Sequence, residues 1–344
     1  MKPQIRIAWL LLIRTLIIAL LASACSDVKV STTPYSDAQT VFSISQNPEK
    51  DDPTSFINID WSQADKITIR GLWLEKYPIF IGEIDTGKVF PFYMDNSVVL
   101  GSPPVISDKG NYLAFQTNRK LYIALMDKVA SNRYLISRES IVSVFEAPSR
   151  CNLAWSPNSQ QLASVCLAFD GVKISLYNLS NDEPQEVFQY FEKNIDEIEG
   201  ASWSSDANAL AFSLRYRYDD ENNKKSQKDV FIYRFDTQAF LRVTNSPDSS
   251  EQDPDWYPGT RTLTFTTTKE GDAQSIESRL VFSTDDGKCK KQVPNIKGII
   301  SPSWSPDGNQ LAYISEWESI RIIERSKFIP SDFLTPQGLC DESK

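Results

Sequence analysis

The chain of 344 residues carries a formal net charge of −9 and contains no histidine. Without histidine it lacks the Ser-His-Asp and Cys-His arrangements of nucleophilic catalysis and every imidazole metal ligand. Its acidic balance, with no stripe of Lys and Arg, also excludes the phosphate-neutralising surface on which nucleic-acid binding depends.

Residues 1–24 have the pattern of an export signal. Two basic residues precede an apolar run, and the small residues 22–24 lead to Cys25. These are the three regions of a secretory signal peptide. Arg14 interrupts the apolar run and leaves roughly ten apolar residues, whereas a membrane-spanning helix needs ~20. We therefore predict a signal peptide over 1–24, with a retained membrane span as the alternative.

Small residues that end at a cysteine resemble a bacterial lipobox, in which Cys25 is acylated and becomes the mature N-terminus. Ala22 stands where lipoboxes favour Leu, and residues 22–24 also satisfy an ordinary signal-peptidase site. A secreted or periplasmic soluble protein is therefore the alternative. Five cysteines in an exported chain leave an odd one, and acylation of Cys25 returns the number to four. We predict a lipid-anchored protein of the bacterial cell envelope, and Ser26 resembles the residue typical of an outer-membrane destination.

The following segment, 25–56, is polar and contains Pro34, Pro48 and Pro53, which predicts a tether. Within it, residues 41–45 (Val-Phe-Ser-Ile-Ser) have the β-branched and aromatic side chains of a strand. We expect this strand to be the outermost strand of the last repeat described below, where it would leave no open sheet edge.

Residues 57–344 contain imperfect copies of one hairpin pattern, best preserved at 304–313 as Trp-Ser-Pro-Asp-Gly-Asn-Gln-Leu-Ala-Tyr. Proline presets φ in the turn, Gly308 takes the positive-φ position, and the returning strand alternates at period two. The copies recur about every 50 residues, which is typical of propeller blades with four short strands. Their anchor residues are Trp61, Ile106, Trp155, Trp203, Trp256 and Trp304. The predicted fold is all-β, a six-bladed β-propeller of four-stranded antiparallel blades with a C-terminal tail.

These repeats resemble the blades of TolB-like proteins, which are six-bladed propellers with a Pro-x-Trp-Ser-Pro-Asp-Gly run. Residues 243–247 and 253–256 resemble the end of one such blade and the start of the next. The resemblance covers about residues 57–324 and implies architecture rather than function. TolB proteins have an α/β domain before the propeller, for which this sequence has no counterpart. Their role in the Tol–Pal envelope system is therefore not carried over.

Within the blades, segments rich in branched residues mark the strands. For blade three we predict the third strand at about 172–178 and the fourth at 185–191. For blade four we predict strands at about 200–204, 208–216, 229–234 and 239–243. We expect the tryptophan series to be core packed between blades, rather than a surface on which a ligand stacks.

The remaining four cysteines predict two disulfides. The register that pairs the anchor tryptophan of blade three with the leucine after its turn places Cys151 opposite Cys166, within the spacing that a disulfide tolerates. Cys289 begins the outer strand of blade five, and Cys340 lies in the C-terminal tail. With the N-terminal strand closing blade six, the tail emerges on the face where Cys289 lies. This placement predicts a Cys289–Cys340 bond.

In an up-and-down meander, the turns between first and second strands lie on one face and the other connections on the opposite face. Polar segments 216–225 and 267–277 are predicted second-to-third-strand loops, and 196–199 and 247–255 are predicted connections between blades. They would crowd one rim of blades three to five, where function is usually carried. Our partner-binding candidates are Tyr216, Arg217, Tyr218, Asp219, Asp220, Glu251 and Asp253. The alternative is that these are solvated loops without a role.

Two carboxylate pairs, Asp253 with Asp255 and Asp219 with Asp220, offer oxygen ligands for Ca²⁺ but lack a fixed ligand spacing. Asp253 precedes Pro254 and is more simply interpreted as a turn residue that bonds local backbone. No Gly-rich phosphate loop and no G-x-S-x-G motif is present. We expect no metal, no cofactor and no catalytic residue.

The sequence thus predicts a non-enzymatic, lipid-anchored propeller, with a monomer favoured, that binds a protein or an envelope polymer through its loop-rich face. The alternative is a propeller glycosidase or lyase with a carboxylate pair in the central funnel, spaced ~5–5.5 Å for retention or ~6.5–9.5 Å for inversion. Convergence of two carboxylates at the channel mouth would favour the enzyme. An accessory propeller that precedes a peptidase domain is not expected, because the sequence ends at Lys344.

Overall fold

The computed structural model describes most of the chain from Ala38 to Cys340, and these residues belong to one compact unit, Pro34–Lys344. The described ranges are 38–43, 55–63, 65–72, 79–94, 97–98, 104–117, 119–126, 134–148, 150–180, 183–220, 223–269, 278–294, 296–329, 331–334 and 336–340. The predicted signal peptide and Cys25 lie outside them. Almost all of the described secondary structure is β.

The strands form six sheets, and the predicted six-bladed propeller of four-stranded antiparallel blades is confirmed. The first three blades and the closing strand contain β1 (Gln39–Ser43), β2 (Ser55–Gln63), β3 (Lys66–Leu72), β4 (Ile79–Glu83), β5 (Lys88–Met94), β6 (Ser97–Val98), β7 (Val105–Ile106), β8 (Tyr112–Thr117), β9 (Lys120–Leu125), β10 (Tyr134–Ile136), β11 (Ile141–Glu146), β12 (Cys151–Trp155), β13 (Gln161–Ala168), β14 (Gly171–Asn178) and β15 (Gln185–Phe191). Blade three is β12 to β15, so its predicted third and fourth strands are confirmed.

The last three blades follow the same inner-to-outer order. They contain β16 (Ile195–Trp203), β17 (Ala209–Asp220), β18 (Asn223–Arg234), β19 (Phe240–Arg242), β20 (Ser249–Trp256), β21 (Thr262–Lys269), β22 (Arg279–Thr284), β23 (Lys290–Gln292), β24 (Ile299–Trp304), β25 (Gln310–Ser315) and β26 (Ser319–Glu324). A short helix, Pro336–Cys340, ends the described chain. Each blade runs from an inner strand beside the central channel to an outer strand at the periphery.

Blade one is larger than the sequence predicted. Beyond β2 to β5 it includes β6 and also β10, which comes from blade two and pairs with β5 in parallel. The chain between β9 and β11 therefore leaves its own blade and returns to it. The hairpin repeat does not predict this strand exchange, because β10 lies in the sequence between β9 and β11, two strands of one repeat.

The N-terminal strand closes the ring, as we expected. Strand β1 is the outermost strand of blade six and pairs antiparallel with β26, from Gln39 opposite Ile322 to Ser43 opposite Ser319. It starts two residues before the predicted segment. Phe42 is 1% exposed and lies in one apolar cluster with residues of blades six and one.

The anchor tryptophans lie in the core between blades, which confirms their predicted role. All five are buried, and three of their indole N–H groups bond the preceding blade, for example Trp304 Nε1 to Thr264 Oγ1 at 3.0 Å. The turn that follows is held by its own side chains. Ser305 Oγ donates to Asp307 Oδ1 at 2.6 Å and accepts from Gln310 N, and Gly308 has φ of +68°.

Both predicted disulfides are present. Cys151 and Cys166 are directly opposite in the β12–β13 register, with their Cα atoms 4.0 Å apart. Cys289 precedes β23 and bonds Cys340 of the terminal helix, with a Cα separation of 4.9 Å. The second bond attaches the C-terminal helix to blade five.

Three loop predictions are wrong. Residues 196–199 belong to β16, residues 216–225 belong largely to the β17–β18 hairpin, and residues 249–255 belong to β20. We interpreted their charges as a sign of solvated loops. In the structure the charges of blade four compensate one another across the strands, as when Arg215 pairs with Asp196, so the strands extend further than predicted.

We expect Phe42→Ala to destabilise the protein by about 3–5 kcal/mol, because it removes a buried aromatic ring from the junction that closes the propeller. Urea unfolding of purified protein measures this loss. Thr40→Ala, on the exposed side of the same strand, is the matched control and should lie within about 0.5 kcal/mol of wild type. Equal losses for both variants would contradict a core role for β1.

Candidate functional site

The turns between second and third strands and the connections between blades share one face of the propeller. On this face, blades three and four form a rim of residues 168–171, 190–196, 216–220 and 223–226, which we call the blade three–four rim. It overlaps two of the predicted segments, 196–199 and 216–225.

Two phenylalanines stand exposed on this rim. Phe169, in the turn between β13 and β14, is fully exposed, and Phe191 at the end of β15 is 68% exposed. Gly171 lies beside them, opposite Phe191, with φ of +148°. A Cβ atom there would lie 1.9 Å from the carbonyl oxygen of Tyr190, so only glycine allows the two strands to approach so closely.

Next to these residues an open groove of about 300 Å³ lies between blades three and four, and we call it the aromatic groove. Tyr190 and Phe240 have ring centroids 4.8 Å apart, and Phe240 lies 5.1 Å from Phe231. The groove is lined by Tyr190, Glu192, Asn194, Tyr216, Phe231, Phe240 and Arg242. Aromatic walls with a few polar groups are typical of sites that bind another molecule.

Arg242 is fixed at the wall of the groove. Its guanidinium carbon lies 5.4 Å from the ring centroid of Tyr216 and 5.9 Å from that of Phe231, which is cation–π geometry. Its Nη2 pairs with the buried carboxylate of Asp229, and its Nε donates to Thr244 O at 3.2 Å. The arginine is thus held in one orientation by contacts behind the groove.

Behind the rim, a network of ion pairs crosses blade four. Arg215 Nε lies 2.9 Å from Asp196 Oδ1, and Lys228 Nζ lies 2.6 Å from Glu199 Oε2 and 3.4 Å from Glu197 Oε2. Burial raises the pKa of Glu199, against the attraction of Lys228. Burial works to lower the pKa of Lys228, but Glu199 and Glu197 hold it above its usual value. These charges stabilise one another and are committed to the blade.

The predicted binding residues are divided by the structure. Tyr216 is 6% exposed and forms part of the groove wall, while Arg217 is exposed and pairs with Asp196. Tyr218, Asp219 and Asp220 continue β17, and their side chains lie outside the described part of the protein.

The prediction that Glu251 faces a partner is corrected, because its side chain is buried. It accepts hydrogen bonds from Ser249 Oγ at 2.5 Å and from Thr267 Oγ1 at 3.2 Å. Burial, the largest effect, raises the pKa of its carboxyl group. The sequence placed it in a loop, whereas β20 carries it into the sheet.

The central channel contains a second cavity, of about 320 Å³, on the face of the Ser-Pro turns. Asp60, Asp108 and Asp255 line it together with the anchor tryptophans. Burial raises the pKa of Asp108 to about 6 and that of Asp255 to about 6. Carboxylates therefore line the channel. The enzyme alternative requires this and also that two of them converge at the channel mouth.

Asp253 and Asp255, however, hold the ring together. Asp255 Oδ1 accepts from Ser202 Oγ of blade four at 2.6 Å, and its Oδ2 accepts from Trp304 N of blade six at 2.9 Å. Asp253 Oδ2 accepts from Ser301 N of blade six at 3.2 Å. The interpretation of Asp253 as a turn residue that bonds local backbone is therefore wrong.

Asp253 also differs from its expected surface position. It lines the channel, and β20 is irregular around it, with φ of +53° at Asp253. Burial, followed by the nearby charge of Glu199, raises its pKa to about 7. The irregularity in β20 directs the Asp253 carboxylate toward blade six. No sequence motif predicts this orientation.

Among the described residues, no three or more Cys, Asp or Glu side chains are grouped so that they could hold a metal ion. No helix in the described ranges is both long enough and apolar enough to cross a membrane.

Strand pairing defines this chain as a six-bladed β-propeller. No protein-family model matches it. Over 114 residues it is 32% identical to the Bacillus subtilis (strain 168) protein named "Uncharacterized peptidase YuxL". The match covers 32% of this chain but only 17% of that protein, so the chain spans less than a fifth of this curated relative.

Similar solved structures include TolB-like propellers. The putative TolB from Agrobacterium tumefaciens is 18% identical with a TM-score of 0.46, covering 69% of this chain and 77% of that one. TolB from Acinetobacter baumannii is 13% identical with a TM-score of 0.48, covering 72% and 59%. An oligogalacturonate lyase in complex with manganese is 11% identical with a TM-score of 0.46, covering 82% and 92%. These likenesses assign no activity to this chain.

We expect the free energy of unfolding to fall as the pH rises from about 4 to about 7. A carboxyl group whose pKa is raised by folding stabilises the protein below its unfolded pKa, and this stabilisation is lost as the pH passes its folded pKa. Asp255→Asn should reduce the part of this fall that ends near pH 6, and the share that comes from Asp108 should remain. Urea unfolding across this pH range measures it.

Asp307→Asn is the control for this experiment. The hydrogen bond from Ser305 lowers the pKa of Asp307, so its contribution lies at more acidic pH and the fall between about 4 and 7 should remain. If the curves of wild type and Asp255→Asn are parallel, Asp255 does not take up a proton on folding.

Proposed function

We propose that this protein is a lipid-anchored binding module of the bacterial cell envelope, without catalytic activity, and that it holds a protein partner on the blade three–four rim. The observation that carries the proposal is the pair of exposed phenylalanines, Phe169 and Phe191, beside the aromatic groove.

Exposed aromatic side chains are the strongest support. A fully exposed Phe169 at the tip of a turn contributes nothing to the core, yet it places a large apolar surface in water. Aromatic and arginine side chains near a groove are also the residue types that carry most of the energy of protein interfaces. Phe191 lies on the same rim, and Tyr216 and Arg242 line the adjacent aromatic groove.

The rigidity of the rim also favours binding. Gly171 fixes the turn that bears Phe169, and the pairing with Asp229 fixes Arg242. A partner would therefore meet a surface that is already ordered, which reduces the entropy that association costs. A protein, rather than an envelope polymer, is the occupant we favour, because the exposed side chains of Phe169 and Phe191 are apolar rings.

The enzyme alternative has less support. Asp60, Asp108 and Asp255 line the channel cavity, and two of them have raised pKa values. A general acid or base needs a proton-transfer partner in the substrate, but both carboxylate oxygens of Asp255 already accept hydrogen bonds from the ring. The geometry favours a structural task for this carboxylate.

The lipid anchor and the location at the cell envelope are part of the same proposal. Acylation of Cys25, followed by the polar tether, would hold the propeller at an outer membrane or cell surface. Two disulfides suit a protein that folds outside the cytoplasm, since such bonds persist in oxidising compartments.

We expect the double variant Phe169→Ser/Phe191→Ser to recover at least about 30-fold less partner, since loss of hot-spot aromatics costs ~2 kcal/mol or more. Crosslinking in intact cells, followed by affinity capture and quantitative mass spectrometry, measures the recovery. The variant should keep the wild-type melting temperature, because both side chains are exposed.

A matched control is Val142→Ser/Val144→Ser, which removes two exposed apolar side chains from the outer strand of blade two. This control should recover the same partners as wild type. Equal recovery by the Phe169/Phe191 variant and wild type would refute binding on the blade three–four rim.

We expect Cys25→Ser to move the protein from the membrane fraction to the soluble fraction and to remove the acyl groups from its intact mass. Acylation requires the thiol of Cys25, whereas Ser26→Ala leaves that thiol in place and serves as the control. Intact-mass spectrometry of both fractions checks the result. An unacylated wild-type protein would refute the lipid anchor.

A further inference from the structure

The hairpin of blade four is longer than the sheet that supports it. Strands β17 and β18 pair without a bulge from Ala209 opposite Arg234 to Asp220 opposite Asn223. The neighbouring β16 pairs with β17 only as far as Tyr216, and β19 pairs only with residues 231–233 of β18. Residues 217–220 and 223–226 therefore form a two-stranded ribbon, about 14 Å long at ~3.4 Å per residue.

The outer edge of β18 presents backbone groups at every second residue. The hydrogen bonds of Val230 show that its backbone groups point away from β17. Its carbonyl accepts from Val243 N at 2.8 Å, and its N–H donates to Thr244 Oγ1 at 2.9 Å. Hydrogen-bonding direction alternates along an antiparallel strand. The N–H and C=O groups of Lys228, Ser226 and Lys224 therefore point the same way as those of Val230.

This edge is uncovered in the part of the protein that the structure describes. No backbone hydrogen bond among the described residues reaches Lys224, Ser226 or Lys228 from the outer side. The opposite edge of the ribbon is shorter, because Arg217 N already donates to Asn194 O at 2.9 Å. The β18 edge is therefore the longer row of unpaired backbone groups, and such a row is a template for another strand.

The charges of the ribbon indicate the charge that an added strand would carry. Lys224 and Lys225 lie on β18 itself, whereas Asp219 and Asp220 lie on β17, one strand spacing of ~4.8 Å further from the open edge. Lys224 and Lys225 are therefore at positions on the strand next to the open edge, and the aspartates are on the strand behind it. Lysines on an edge also disfavour pairing between two copies of the same edge, since like charges would meet.

We propose that residues 224–228 of β18 are a docking strand, to which an extended, acidic segment of the protein partner adds as a further β-strand. The inference rests on the proposed function, because the partner held on the blade three–four rim brings this segment. Strand addition would also stabilise the ribbon, since a two-stranded hairpin alone is marginal in water.

The test compares Ser226→Pro with Ser226→Ala in the full mature chain. Proline removes the outward N–H at residue 226 and places its ring on the docking edge, while the bonds between β17 and β18 remain. Alanine keeps the backbone N–H. The probe is a fluorescent synthetic peptide of alternating glutamate and valine, measured by fluorescence anisotropy, with a lysine–valine peptide as its counterpart.

We expect wild type and Ser226→Ala to bind the glutamate peptide equally, and Ser226→Pro to bind it at least tenfold more weakly. Hydrogen exchange supplies a second readout that a surface charge effect would not move. The amides of residues 224, 226 and 228 should become protected on binding, whereas those of 223, 225 and 227 should be protected already. Equal binding by Ser226→Pro, tighter binding of the lysine peptide, or no binding by wild type would overturn the proposal.

Crosslinked partner recovery separates this inference from the proposed function. Loss of partner in Phe169→Ser/Phe191→Ser but not in Ser226→Pro would leave the proposed function standing and reject strand addition. Loss of partner in both variants supports both. Retention of partner in both would reject both.

Discussion

Side chains of the inner strands accept hydrogen bonds from neighbouring blades, and these bonds hold the propeller together. Asp255 is the central example, because a single carboxylate in blade five bonds Ser202 of blade four and Trp304 of blade six. Ser303 of blade six accepts from Trp61 N of blade one at 2.9 Å in the same manner. Inner strands have no strand neighbour on their channel side, so these contacts satisfy backbone groups that would otherwise be buried unpaired.

This constraint decides where function can lie. A buried donor or acceptor left without a partner costs roughly 1–3 kcal/mol, so the channel carboxylates are expensive to divert to another task. Asp253 and Asp255 are engaged with blade six at the same time as they line the channel. Phe169 on the blade three–four rim is not bound by this constraint. Its side chain is fully exposed and contributes nothing to the core.

Sequence patterns predicted the architecture well because each blade repeats the same local solution. The Trp-Ser-Pro-Asp-Gly run encodes its turn, its strand alternation and its buried anchor within ten residues, so blade number, register and the Cys151–Cys166 bond followed directly. The closing strand was also predictable, since Phe42 stands in a branched and aromatic segment of an otherwise polar stretch.

The candidate site was predictable only in its position. The rim of blades three and four was indicated by polar insertions, but its exposed anchors, Phe169 and Phe191, were missed because single aromatics in a β-rich sequence look like core. Glu251 and Asp253 were misplaced for the opposite reason. Their charges indicated solvent, while compensation by neighbouring strands and blades allows them to be buried. Contacts between blades join residues some 50 positions apart, which no local pattern records.

The pairing of β1 with β26 has a consequence for the order of assembly. It joins the first described strand of the chain to the last, Gln39 to Ile322, so the ring cannot close until synthesis of residues 319–324 is finished. Blades one to five can form before that moment, because their strands pair within short stretches of chain. Strand β1 adds at the outer edge of blade six, beside β26. Until then the blades form an incomplete ring, and the pairing of β1 with β26 closes it.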